Sequence, residues 1–326
     1  LPPTFLEKYM AANWMRRALM VAACASAALL AACGSSTTES AISPQRFIAF
    51  GDAMNDVGQN GSRYTVNDGS INNWTLQLVN NYGKPLTPAS AGGLSYATGN
   101  ARVSAKPDAA GNASTRTITE QIDTFLASGS FAAADVVIVS GGISDVIAGM
   151  AAVNAGTQTQ DAMVAAARKA GEDLAAQVRR LVTAGAKYVV VTGTYDLSKT
   201  PWAKTIGREA LLSNASSRFN EGLLVGIVDL GANVLYVDSA YYVNLYTSVP
   251  GNYGFNNSTA AVCTSVDTTN GIGIGAGQVN SALCTSSTLL SGANATSYVF
   301  ADSVYLTPSA QRQFGTYAYG RLRARW

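Results

Sequence analysis

The chain has 326 residues, 48% hydrophobic and 13% charged, enough apolar mass for a large core. With 31 Gly and 9 Pro, long disordered tracts are not expected beyond the N-terminal stretch. Lys8, Arg16, Arg17 and Glu7 lie in the first 32 residues, and the rest carries 19 basic and 19 acidic side chains. Its net charge is zero, so no basic patch invites nucleic acid or an anionic membrane surface.

Residues 1–32 read as a signal peptide. Met15-Arg16-Arg17 is a short positive region, and "ALMVAACASAALLAA" (residues 18–32) is an apolar run of 15. That run is short for a membrane span and has secretory flanks. The sequence opens at Leu1 rather than Met, and residues 1–14 are read as lying upstream of the natural start. Leu30-Ala31-Ala32-Cys33 resembles a bacterial lipobox, which implies lipid attachment at Cys33 and a membrane anchor. Gly34 follows Cys33, and by resemblance to Gram-negative lipoproteins this favours the outer membrane. Residues 33–45 read as a lipidated flexible tether. A single domain is expected over 46–326. Cys24 leaves with the signal, so an exported chain retains Cys263 and Cys284, whose natural reading is a disulfide.

Four short, β-branched, nearly unbroken apolar runs follow, at 46–50, 135–140, 187–192 and 233–237. Such runs suit strands covered on both faces, as in a parallel sheet. Helical patterns lie between them at 117–126, 161–184 (ended by Gly185) and 206–230. Strand and helix in alternation predict an α/β fold with a doubly wound, flavodoxin-like parallel sheet in three layers. Residues 241–300, rich in Tyr, Asn, Ser, Thr and Gly, read as a long decorated loop. Ligands of such sheets bind at the carboxyl ends of the strands. Three junctions therefore matter: after Phe50, after Ser140, and near Asp302.

At those junctions stand "FGDAMNDVG" (50–58), "VIVSGGISDV" (137–146) and "DSVYLTPSAQ" (302–311), with "SYATGNARV" (95–103) between the first two. In this order they resemble the sequence blocks of the GDSL, or SGNH, esterases and lipases: FGDSLSDxG, a Gly-bearing second block, GxND, and DxVHPT. "FNEGL" (219–223) and "NYGFNNSTAAVC" (252–263) resemble connecting segments of bacterial members. The resemblance spans residues 46 to about 320. It implies an ester hydrolase in which a Ser attacks the carbonyl, a His takes its proton and an Asp orients the His. The Ser amide, a Gly amide and an Asn side chain would form the oxyanion hole.

Carried over residue by residue, the constellation is incomplete. The nucleophile position is Ala53, the oxyanion Gly is Gly99, the oxyanion Asn position is Ser144, the orienting acid is Asp302, and the base position is Tyr305. The whole chain contains no His. An ordinary phenol with a pKa near about 10 cannot replace an imidazole. Three replacements at three junctions point to a natural pseudoenzyme.

Alternative chemistry rests on the carboxylates at the strand ends, Asp52, Asp56, Asp145 and Asp302. They could serve acid–base hydrolysis or hold a hard cation. The blander reading takes Asp52 and Asp56 as caps of the first turn and Asp145 as structural. No metal and no cofactor is expected. Tyr305 would either donate its phenol to Asp302 or plug the space of the lost imidazole. The rings of Tyr241, Tyr242, Tyr246, Tyr253 and Phe255 are expected to pack the long loop rather than line a groove. The sequence thus predicts an inactive, lipid-anchored envelope protein that binds a lipid, ester or acylated-glycan ligand or a partner. Its rivals are an active ester hydrolase with unusual residues and a purely structural envelope lipoprotein.

Overall fold

The computed structural model describes residues 42–326, so the signal, Cys33 and most of the tether lie outside the described residues. Ordered packing starts before the expected domain boundary. Ile42 joins the core, and the amide of Gln45 donates to Ala134 O. The last four residues of the expected tether therefore belong to the domain.

Four parallel strands form the main sheet: β1 (Arg46–Phe50), β2 (Asp135–Ser140), β3 (Tyr188–Thr192) and β4 (Val234–Tyr236), in that spatial order. Phe50 stands opposite Val139, Val139 opposite Val191, and Val191 opposite Tyr236. Every residue of β2 is buried, as expected for a strand covered on both faces. Beyond β1, residues 94–96 run parallel to it. Ala49 N donates to Leu94 O and Tyr96 N to Ala49 O. The chain thus leaves β1 toward one edge and returns to β2 on its other side. That reversal places a topological switch point between the carboxyl ends of β1 and β2.

The helices form the outer layers of a three-layer α/β fold. On one side α1 (Trp74–Asn80) packs with the C-terminal helix α8 (Pro308–Arg325). A second group comprises α2 (Ile118–Ser128), α3 (Ile143–Asn154), α4 (Gln160–Thr183) and α6 (Glu209–Ile227). A reciprocal Thr117/Glu120 capping box starts α2. Helices α4 and α6 cross very closely. A Cβ at Gly171 would lie 2.0 Å from Phe219 O, and one at Gly222 2.3 Å from Arg168 O. The helix expected at 206–230 is present as α6, continued by a 3-10 turn at Val228–Leu230, and a separate short helix precedes it. A short α5 (Pro201–Ile206) ends at Gly207, whose φ of 62° is left-handed, and α6 begins two residues later.

The expected loop at 241–300 is partly regular. It contains most of α7 (Ser239–Ser248) and the short strands β5 (Asn257–Ala261), β6 (Val266–Asp267), β7 (Gln278–Val279) and β8 (Tyr298–Phe300). A Cys263–Cys284 disulfide closes its middle over a small second core with Val66, Val262 and Ala301. Tyr242, Tyr246, Tyr253 and Phe255 of the aromatic run pack, whereas Tyr241 is exposed. Tyr246 meets Tyr253 and Phe255 at ring distances of 5.1 and 5.2 Å, and Tyr242 stacks on Tyr317 of α8 at 4.4 Å.

Candidate active site

The turn after β1 is held in place by its neighbours. A Cβ on Gly51 (φ 151°) would lie 2.7 Å from Ser140 O, so only glycine fits. The Gln121 side chain of α2 clamps Gly51. Its Oε1 accepts from Gly51 N at 2.8 Å, and its Nε2 donates to Gly51 O at 2.9 Å. Asp52 O accepts from Asn55 N and Asp56 N, and its Oδ1 accepts from Met54 N at 3.1 Å. Asn55 Nδ2 donates back to Phe50 O. This network presents residue 53 at the end of β1, where a nucleophile would stand. Ala53 is buried there, with 1% of its surface exposed.

Gly99 lies on the loop after the 94–96 segment, and its amide is already engaged. It donates to Asp56 Oδ2 at 2.8 Å, while Asp56 Oδ1 accepts from Gly58 N and Gln59 N. Gly99 is therefore a structural donor here, not an open one. The Tyr64 ring covers it so closely that a Cβ would fall 2.0 Å from the phenol. The next residue, Asn100, takes the one positive φ (63°) of a non-glycine among the described residues. Its Nδ2 donates to Gly271 O, and its buried Oδ1 has no partner.

Ser144 stands in the first turn of α3, after β2 and Gly142. Its Oγ is buried and has no hydrogen-bond partner. Asp145 beside it is structural. It accepts from Val103 N at 3.1 Å and pairs with Arg102 at 3.3 Å. Burial pushes its carboxyl up to about 6, against the pull of Arg102.

The last loop, between β8 and α8, carries Asp302 and Tyr305, both fully buried. Asp302 Oδ1 accepts from Val304 N at 2.7 Å and Tyr305 N at 2.6 Å, and Oδ2 from Ser281 N at 3.0 Å. Burial raises its pKa, and these donors oppose the rise. Of the two readings of Tyr305, donation of its phenol to Asp302 is absent. The Tyr305 hydroxyl has no partner, and three backbone amides hold the Asp302 carboxylate instead. The ring plugs the site instead, edge-on to Tyr64 at 5.4 Å. Burial, with the Asp52 carboxylate adding to it, holds that phenol neutral and its pKa well above the usual value. Asp52 itself is pushed up to about 6, chiefly by burial. Ser140 Oγ donates to its Oδ1 at 3.4 Å, and its Oδ2 is unpartnered.

The structure thus places the four motif segments at the carboxyl end of the sheet. It links Gly99 to Tyr305 through the Tyr64 ring, and Tyr305 electrostatically to Asp52. Ser144 has no direct bond to the others. Sequence reasoning missed Tyr64, Asn100 and Gln121. Tyr64 and Gln121 lie outside the motif blocks, and Asn100 stands inside one without a sequence mark of its left-handed backbone. Among the described residues, no cluster of three or more His, Cys, Asp or Glu is arranged for a metal, and no helix is long and apolar enough to cross a membrane.

No curated protein matches the chain. The chain is similar to one solved crystal structure over 87% of this chain and 98% of that one, at 16% identity and a TM-score of 0.45. The family model described as GDSL-like Lipase/Acylhydrolase matches residues 47–317. That match spans all four motif segments and the parallel sheet, and the chain belongs to this family.

Proposed function

We propose that this chain is a non-catalytic member of its family, exported and anchored in the outer membrane through lipid on Cys33, where it serves as a scaffold for binding. One observation carries the reading: position 53 is a buried methyl group in a chain without a single histidine. Serine-type ester hydrolysis needs a hydroxyl to attack and a base to take its proton. Ala53 offers no hydroxyl, and Tyr305 is a neutral, buried phenol. Loss of triad members leaves about 10³–10⁴ over the water rate, from binding and oxyanion contacts. Those contacts are reduced as well, since the Gly99 amide is engaged and Ser144 replaces the amide side chain.

The competing reading, an active hydrolase with unusual residues, has one candidate base in Asp52, with its unpartnered Oδ2. Its burial beneath the turn argues against access by an ester and water. The packing of Tyr64 and Tyr305 over the old site favours binding elsewhere on the surface over binding at residue 53.

The test is hydrolysis of short-chain and long-chain esters by the purified full chain, beside a mock purification. No turnover above the mock is expected. Clear turnover by the unaltered chain would overturn the reading. The triple variant Ala53→Ser, Ser144→Asn, Tyr305→His reports whether the backbone frame still supports the chemistry.

A further inference from the structure

We propose that a polar cleft beside the old active site binds a sugar carrying an acidic group. This goes beyond the loss of catalysis and does not depend on it. The cleft encloses about 580 Å³ along the 94–96 edge of the sheet, a volume usual for small-ligand sites. Thr98, next to Gly99, forms part of its wall.

The walls are preorganised by hydrogen-bonded side chains. Gln59 Nε2 donates to Ser95 O at 3.0 Å, and its Oε1 accepts from Ser90 N at 2.8 Å. Gln121, on the same wall, holds Gly51 from both sides. Three hydroxyls of the lining turn their protons inward. Ser90 Oγ donates to Gln59 O, Thr98 Oγ1 to Tyr96 O, and Thr124 Oγ1 to Glu120 O, at 2.8, 3.1 and 2.7 Å. A hydroxyl that has given away its proton offers only lone pairs. A ligand must therefore bring donors of its own to this wall.

Arg116 requires the opposite. Its guanidinium is a pure donor and is always charged. It is exposed at the cleft, and neither a hydrogen bond nor an ion pair joins its side chain to any other described residue. No Asp or Glu lines the cleft. The Tyr96 ring, stacked on Phe50 at 5.6 Å, supplies an apolar surface, and a Cβ at Gly92 would meet only open space.

Hydroxyl donors, a ring with an apolar face, and one anionic group describe a uronic acid or a chain of them. A fatty acid would meet Arg116 but leave the hydroxyl acceptors unpaired. A neutral sugar would do the reverse.

Isothermal titration calorimetry on the purified full chain in mild detergent tests this, with trigalacturonate, D-galacturonate, maltotriose and sodium sulfate as probes. Trigalacturonate or D-galacturonate is expected to bind at least about tenfold more tightly than maltotriose, and rising salt should weaken it. Arg116→Gln should weaken that binding about tenfold or more, whereas Lys187→Gln, just before β3 and outside the cleft lining, should leave it unchanged. Equal affinity for monomer and trimer would assign the site to a free sugar acid, and tighter trimer binding to a glycan chain; either supports the proposal. No binding of either uronate would overturn it. So would undiminished binding by Arg116→Gln with an unchanged melting curve, or displacement by sulfate as effective as by D-galacturonate.

Discussion

The turn after β1 and the loop before α8 each carry a buried aspartate beside the old site, and the two stand in different states. Asp302 has both oxygens filled by three backbone amides. Asp52 fills one oxygen with an amide and a distant serine hydroxyl, and its other oxygen has no partner. Both are buried and both titrate upward because of it. The difference teaches what survives when chemistry is lost. A carboxylate that ties its own loop together is kept by folding alone. An undersatisfied one stays costly to the fold.

The sharpest test is truncation of each aspartate. Asp302→Ala strands three buried amides, at about 1–3 kcal/mol each, less the relief of no longer burying a charge. A net loss of about 3–5 kcal/mol is expected in urea unfolding. Asp52→Ala strands one amide and should cost about 1 kcal/mol or less. Equal losses at the two positions would erase the distinction.

The second test reaches the last loop from outside. Ser281, which feeds Asp302, lies inside the segment closed by the Cys263–Cys284 disulfide, with a separation of 21 residues. Replacing both cysteines with serine should cost about 3 kcal/mol on the chain-entropy account. Hydrogen exchange should quicken at 281 and 304–305, and the amides of residues 54–56 should keep their protection. Faster exchange throughout both regions would mean that they are not separable units.

The sequence made the sheet plain because its strands are continuous β-branched runs, and a fully buried strand such as β2 needs nothing else. The C-terminal helix α8 was not legible. Its Tyr, Gly, Gln and Arg residues give no clear apolar stripe, although Thr307 caps it and Pro308 opens it. Helix α7 lay hidden in an uncharged, Asn- and Tyr-rich stretch that resembles loop composition. At the site, motif order placed Ala53, Gly99, Ser144, Asp302 and Tyr305 at one end of the sheet. It gave no sign of which donors were already engaged. The Asp56–Gly99 bond joins residues 43 apart in the chain and the Ser281–Asp302 bond residues 21 apart, and no local pattern encodes such pairings.

The pH dependence of stability probes the first turn directly. Asp52 and Asp145 each titrate near about 6 in the folded chain, because burial disfavours their charged forms, while unfolded carboxyls titrate near about 3.9. The folded state therefore holds more protons between those values. The stabilisation is full below the unfolded pKa and is lost as pH rises through about 6. Unfolding free energy measured from pH 4 to pH 7 should fall over this range, by an amount on the order of 2 kcal/mol per group. Asp52→Asn should flatten that slope. A slope unchanged by Asp52→Asn would show that the Asp52 carboxyl is solvated and its turn looser than described.

The smallest expected effect concerns the plug. Tyr305 feels the charge of both aspartates, and its hydroxyl is fully buried without a partner. An unpaired buried hydroxyl is a net cost, and its removal leaves the ring and its edge contact with Tyr64 in place. Tyr305→Phe should therefore stabilise the protein by about 1 kcal/mol, against the usual direction for a substitution in a core. Thermal unfolding of the two proteins side by side reads this as a rise of a few degrees. A fall would mean that the phenol holds a hydrogen bond across the old site. The plug would then be a polar link between the turn and the last loop rather than a filler, and Asp52, with its unpartnered oxygen and its influence on the Tyr305 phenol, would be the first acceptor to examine.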